Sequence, residues 1–312
     1  MQRVLTVPPS QEDVARAAAE ISGGALAGVR VETWPRGRSH HAYVLTAPSG
    51  GQFLFKVHRR PHAGRMRRFL HLAELLAAKR VPHPAVRWHD VERRTLDVPY
   101  YIQDFITGED AARSLGTLSF SDQHRAGGEL GAGLRTMHQV EYVDTPTPWA
   151  TEFDDRLRTR AAECRFLDAL DQDSHARVIA HYEERRETLD GVERRLTHDD
   201  LNLANLLLQR RGDGWHFAAF LDFERARGRD PLIDLVRLEG WTLPACPAML
   251  APFRDVYAHV ADARSDARAE IYEVYLLLAG IVWYRQNELP ERERFCRERL
   301  ADWLAGQRRQ PA

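Results

Sequence analysis

Between Thr197 and Glu224 the chain reads THDDLNLANLLLQRRGDGWHFAAFLDFE, and no other stretch narrows the possible folds as far. A polar loop leads into the apolar run Leu206, Leu207 and Leu208, RRGDG follows as a turn signal, and a second run from Trp215 carries the chain back to Asp222. Two short apolar strands around a Gly-containing turn make a hairpin. A hairpin returns its far end to its near end, so Asp222 is expected beside Asn205.

The residues at the base of that hairpin suit one kind of chemistry. Phosphoryl transfer needs a carboxylate to orient and deprotonate the attacking hydroxyl, and oxygen ligands for the metal ions that neutralise phosphate charge. The pattern H-x-D-x-x-x-x-N followed by a returning aspartate supplies Asp200 as base and Asn205 and Asp222 as metal ligands. Singly these residues say little, because Asp and Asn in loops are most often turn formers or caps. Their combination and spacing carry the reading.

Such a site also needs a cation for the nucleotide phosphates, usually a lysine on a central strand. Lys56, in FLFKV, is the only lysine outside a helix-like segment, and it follows a Gly-containing turn. The bland alternative is an edge-strand lysine that discourages aggregation. Around it, Val29 to Trp34, His41 to Thr46 and Gln52 to Val57 read as strands of an antiparallel meander, joined by PRGRSH and PSGG. A short helix is expected around Gln11 to Ile21. A second covers about Gly64 to Arg80, where Met66, Phe69, Leu70, Leu72, Leu75 and Leu76 recur at helical spacing until VPHP. Tyr100 to Ile106 reads as a further strand, and from Ser121 the chain turns mainly helical. The expected architecture is α+β, a small β-rich lobe over 1–107 and a larger helical lobe over 108–312.

At 312 residues there is chain enough for one large or two modest domains. With 44 basic and 45 acidic residues the net charge is -1, so no overall field draws the protein to nucleic acid or an anionic membrane. Neither is an expected partner, and the charge says nothing of oligomeric state. Cys164, Cys246 and Cys296 form no CxxC pair and read as reduced, structural thiols. The N-terminus lacks the apolar core of a secretory signal, and the apolar stretch Val274 to Tyr284 falls short of the roughly 20 residues that span a bilayer. A soluble, cytoplasmic protein is expected, with that stretch a buried helix.

HDDLNLANLLL, LDFERARGRDPLIDL and FLFKV together resemble the aminoglycoside phosphotransferase and choline kinase family, a branch of the protein-kinase-like fold, and the resemblance spans nearly the whole chain. It implies a bilobal enzyme that moves a phosphoryl group from ATP or GTP, with Mg2+, to a hydroxyl. The resemblance implies Asp200 as base, Asn205 and Asp222 as Mg2+ ligands and Lys56 on the phosphates. It also implies that the backbone of Gln103, Asp104, Phe105 and Ile106 holds the purine. His198, Asp230 and Asp234 are implied as scaffold around the catalytic loop.

Two departures stand out. Asp occupies position 199, where the family usually has Gly; spacing favours Asp200 as base and leaves Asp199 to solvent or a neighbouring arginine. The small-lobe helix glutamate that normally pairs with the strand lysine is Phe69 here; either Glu74 fills that place or Lys56 works without it. A basic stretch including Arg59, Arg60, Arg65, Arg67, Arg68, Lys79 and Arg80 reads as a solvated face, though Arg59 and Arg60 could reach phosphate. Asp262, Asp266, Glu270, Glu273, Glu288 and Glu291 would suit a cationic acceptor such as an antibiotic, or equally serve as surface partners for arginines. A metabolite kinase for choline, homoserine or a thio-sugar, and a nucleotide-binding pseudokinase, remain as rivals. A protein kinase is disfavoured because no A-P-E-like anchor lies between Asp222 and Asp234.

Overall fold

Ser10 starts the first helix: its hydroxyl accepts the Asp13 N–H at 3.1 Å, and Glu12 and Asp13 complement the positive end of the helix dipole. This helix, α1 (Gln11–Ile21), buries Val14, Ala17 and Ala18, a stripe at helical spacing. The computed structural model describes residues 7–35, 40–58, 63–259 and 261–307. Residues 36–39 of the first expected turn, with Arg59 and Arg60 of the basic stretch, lie outside the described residues.

The three strands expected next form as an antiparallel meander: β1 (Arg30–Trp34), β2 (His40–Thr46) and β3 (Gln52–His58). The turn between β2 and β3 is closed by the Gly50 N–H on the Ala47 carbonyl at 2.8 Å, with Gly50 at φ +86° where a side chain would be strained. Helix α2 (Ala63–Ala78) buries Met66, Leu70, Leu72 and Leu76. Strands β4 (Val86–Asp90) and β5 (Tyr100–Asp104) complete a sheet in the order β1-β2-β3-β5-β4. Strand β4 was not legible as a strand, because VRWHD mixes charge and aromatic without a clean alternation. Strand β5 ends at Asp104, short of the expected Ile106, although the Phe105 N–H still bonds to the Gln52 carbonyl at 3.2 Å, in register with the β3–β5 ladder.

Alternation along these strands makes two faces. Tyr43, Leu45, Phe55, Val57, Tyr100 and Ile102 meet α1 in one core. Ala42, Leu54, Lys56, Tyr101 and Gln103 occupy the other face, beside a cavity. Next come β6 (Glu109–Asp110), α3 (Ala111–Ser114) and α4 (Phe120–His138), then α5 (Trp149–Phe166), α6 (Gln172–Arg185) and β7 (Arg195–Thr197). The expected hairpin follows as β8 (Leu206–Arg211) and β9 (Gly214–Phe220), with β6 paired to β8 in a three-stranded sheet. Gly108 permits that pairing: a Cβ there would lie 2.3 Å from the Leu208 carbonyl oxygen.

By packing, the chain divides into two units, Met1–Thr136 with Ala204–Glu224 and Met137–Leu203 with Arg225–Ala312. The first holds the five-stranded sheet, most of α4 and the hairpin. In the second, β7 pairs with β10 (Arg227–Arg229), and α7 (Leu232–Arg237), α8 (Leu250–Tyr257), α9 (Ala263–Gln286) and α10 (Pro290–Gln307) follow. Ala161 and Cys164 of α5, Val178 of α6, Leu277, Leu278 and Ile281 of α9 and Leu300 of α10 form its core. Cys164, Cys246 and Cys296 are all free and buried. Asp262 and Ser265 cap α9 reciprocally. The Val274 to Tyr284 stretch lies within it, largely buried, although Trp283 is 40% exposed. Among the described residues no helix is long and apolar enough to cross a membrane.

Candidate active site

In the first unit, ladder geometry places the key side chains. The Leu221 N–H donates to the Asn205 carbonyl at 2.9 Å, extending the β8–β9 ladder by one rung, so Asp222 follows directly on the residue paired with Asn205 at the open end of the hairpin. Asp222 sits at φ +64°, a left-handed conformation uncommon for residues other than glycine and tolerated by Asp. Both residues line a cavity of about 350 Å³ together with Lys56 of β3 and with Gln103, Asp104, Phe105 and Ile106 at the end of β5. Seven of the sequence-predicted residues therefore share one cavity. Their oxygen donors, an amide and a carboxylate, match what a hard cation such as Mg2+ takes.

Not every backbone group at the end of β5 is open to a ligand. The Asp104 N–H goes to the Ala85 carbonyl at 2.9 Å and the Phe105 N–H to that of Gln52. The Ile106 N–H has no such partner among the described residues, and Ile106 lines the cavity. The Asp104 carboxylate is held by Arg87 through two bonds of 2.7 Å, and that pairing lifts the Arg87 guanidinium above its ordinary range.

Glu74 is not brought to Lys56. It is exposed on the other side of α2, lining a separate pocket with Arg67, His89 and Arg94, so the strand lysine and the helix glutamate form no ion pair. Turned toward Lys56 instead is the fully buried ring of Tyr101, whose centroid lies 5.9 Å from Nζ. Beyond it, Glu224 accepts from the Tyr101 hydroxyl at 3.4 Å and pairs with His40 Nε2 at 2.5 Å; both Glu224 and His40 line the same cavity. Burial first, then the Glu224 and Asp222 carboxylates, push the Tyr101 hydroxyl well above its ordinary range, so it remains a donor. Burial likewise pushes His58 down to about 4. Sequence reasoning assigned no role to Tyr101, His40 or Glu224. The alternation that places Lys56 could have found the first two, because Tyr101 is its cross-strand partner and His40 lies two residues from its other partner, Ala42.

In the second unit, the loop from His198 to Leu201 hangs from α7. Asp234 accepts the His198 N–H at 2.6 Å and the Asp199 N–H at 3.0 Å, and His138 Nε2 stands 3.3 Å from the same carboxylate. Burial alone would raise Asp234, but the His138 hydrogen bond, neighbouring imidazoles and the backbone donor outweigh it and hold the carboxyl below its ordinary range. Asp230 accepts the Leu232 N–H at 3.0 Å, Arg268 at 2.9 Å and the Tyr272 hydroxyl at 2.8 Å, tying α7 to α9.

The two adjacent carboxylates differ in setting. Asp199 is buried against Arg229 in an ion pair and has φ +63°, which explains why glycine suits this position. Asp200 is half-buried, with its carbonyl accepting the Asn202 amide at 3.0 Å. The expected neighbouring arginine is therefore Arg229, itself stacked 5.9 Å from the Trp149 ring centroid.

No curated protein matches the chain. Among solved structures, aminoglycoside 2'-phosphotransferase-IIIa in its GDP complex aligns with TM-score 0.68 and 14% identity over 95% of this chain and 100% of that one. APH(2")-IIa in complex with gentamicin aligns at TM-score 0.64 and 16% identity, covering 95% and 97%. The macrolide 2'-phosphotransferase MphH from Brachybacterium faecium gives 0.62 and 17%, covering 94% and 98%. These likenesses establish the fold expected from the sequence, an antiparallel sheet followed by a mainly helical part. The model of the phosphotransferase enzyme family, APH, matches residues 30–274, most of the chain. The protein therefore belongs to the phosphotransferase enzyme family.

Proposed function

We propose that this phosphotransferase moves the terminal phosphoryl group of Mg-ATP or Mg-GTP to a hydroxyl of a small molecule, an aminoglycoside-like antibiotic or another cationic natural product. The observation that carries the proposal is the single cavity lined by Lys56, Asn205, Asp222 and the end of β5. In this reading residues 1–107 bind the nucleotide, 108–312 supply the catalytic loop and acceptor site, and the enzyme works in the cytoplasm. Mg2+, held by Asn205 and Asp222, would offset charge on the phosphates. Lys56 binds phosphate oxygens, and Ile106 donates its N–H to the purine. Asp200 accepts the proton of the acceptor hydroxyl as its oxygen attacks. His198, Asp230 and Asp234 keep the loop in place.

Solved relatives bound to GDP and to gentamicin support the nucleotide and the antibiotic parts of this reading. One observation favours keeping a metabolite kinase as second reading. Several acids that would attract a polycation are engaged inside the second unit: Asp262 caps α9, Glu270 pairs with Arg185 at 3.1 Å, and Glu273 pairs with Arg299. A coupled assay of ADP or GDP release against a panel of antibiotics and small alcohols separates the readings by which acceptor raises turnover. Nucleotide binding without turnover on any hydroxyl would overturn both and leave a pseudokinase.

A further inference from the structure

We propose that His40, His58 and Glu224 form a site for a borderline divalent cation, Zn2+ in the first instance, distinct from the oxygen-donor pair Asn205 and Asp222. The three residues are far apart in sequence and are brought together by the fold of the first unit. His40 and His58 are cross-strand partners at the end of the β2–β3 ladder, with ring centroids 4.2 Å apart, and Glu224 follows the hairpin. One donor atom from each lies within 4.8 Å of the other two. His40 Nε2 is 2.5 Å and His58 Nδ1 3.8 Å from opposite oxygens of the Glu224 carboxylate.

Bond lengths of about 2.0–2.1 Å and tetrahedral angles put two zinc donors about 3.3 Å apart, so the widest pair must close by about 1.5 Å at most, while His40 Nε2 and Glu224 Oε1 must open by about 0.8 Å. Side-chain rotation supplies that. Two imidazoles and a carboxylate are a donor set with a free fourth position. Imidazole nitrogen selects Zn2+, Ni2+ or Cu2+ over Mg2+, which keeps this site chemically separate from the phosphate metal. The Tyr101 hydroxyl on Glu224 Oε1 is the kind of outer contact that orients a ligating carboxylate. Lys56, two residues before His58 on β3, places a positive charge nearby and opposes tight binding. The site does not depend on the phosphotransferase reading.

Titration of the purified, metal-stripped chain with Zn2+ by calorimetry, and with Co2+ by visible absorption, tests the proposal without any activity assay. The expected result is one site per chain, a tetrahedral Co2+ spectrum without thiolate charge transfer, and a melting temperature raised by Zn2+. His40→Ala, His58→Ala and Glu224→Gln should each abolish the Zn2+ effect. Tyr101→Phe should weaken binding about tenfold. Because a buried substitution could itself impair folding, each variant is first checked for a cooperative melt without metal; Glu224→Gln, nearly isosteric, serves if the histidine variants fail. Stoichiometric binding unaffected by Glu224→Gln, a thiolate band pointing to the cysteines, equal displacement by Mg2+, or no binding at all would overturn it.

Discussion

At the scale of single residues, the two adjacent carboxylates separate by environment. Asp200→Ala should cut phosphoryl transfer by about 10²- to 10⁴-fold, the usual loss for a general base, while leaving nucleotide affinity nearly unchanged. Single-turnover kinetics beside a nucleotide titration reads both. Asp199→Ala should act on stability instead, because it strands Arg229, only 4% exposed, without its carboxylate. Breaking a buried pair from one side costs about 3–5 kcal/mol, visible as a large loss in the urea midpoint. A crippled kcat in Asp199→Ala with an unchanged midpoint would reverse the two assignments. From sequence, only the spacing to Asn205 favours Asp200 over Asp199. What could not be read was the identity of the partner of Asp199, since Arg229 lies thirty residues on and meets it only once the fold is formed. Glu74 failed for the related reason that a helix face cannot be assigned from position in the chain alone, and α2 turns that residue to solvent.

At the scale of elements, long periodic segments and the hairpin were legible, and short pairings were not. Helices α1 and α2, the β1–β3 meander and β8–β9 follow from hydrophobic period and turn residues. Strands β6, β7 and β10 have two or three residues each, too few to establish a period, and β4 lacks a clean alternation; all are completed by the hydrogen bonds of a partner strand. The hairpin makes a prediction about metal use. Asn205→Ala and Asp222→Ala should both raise the Mg2+ concentration needed for half-maximal activity, and excess Mg2+ should rescue Asn205→Ala further, since Asp222→Ala removes a full charge. Activity independent of divalent cations in the unsubstituted protein would rule out this use of the pair. Gly108→Ala tests the β6–β8 contact. A Cβ at 2.3 Å from the Leu208 carbonyl oxygen cannot be relieved by rotating a side chain, so the strands must part. A melting temperature lower by several degrees is expected, corresponding to about 1–3 kcal/mol. Nucleotide affinity should weaken too, because Gly108 also lines the cavity.

At the scale of the whole molecule, balanced charge and ordinary composition set an expectation against nucleic-acid and membrane partners but could not point to an acceptor. The packing inside the second unit shows why: its acids are largely committed to arginines and helix caps. Buried histidines leave a mark on overall stability instead. His181 of α6 is 5% exposed, with its ring 4.7 Å from that of Trp303 on α10. Burial first, then Arg185, push it down to about 4, against a small opposing pull from Glu184; Glu270 stands 3.7 Å away. In the unfolded chain the same imidazole titrates near its ordinary value of about 6.5. As pH falls through 6.5 the unfolded state gains a proton that the folded state refuses until about 4, so stability is lost across that window and changes no further below it. The full shift corresponds to an order of 3 kcal/mol. His181→Leu keeps the packing against Trp303 but cannot titrate. Its unfolding free energy, measured from urea curves between pH 7 and 4, should fall less steeply than that of the unsubstituted protein, with the two curves diverging below pH 6.5. Parallel curves across the whole range would mean that His181 is protonated as readily in the folded chain as in the unfolded one.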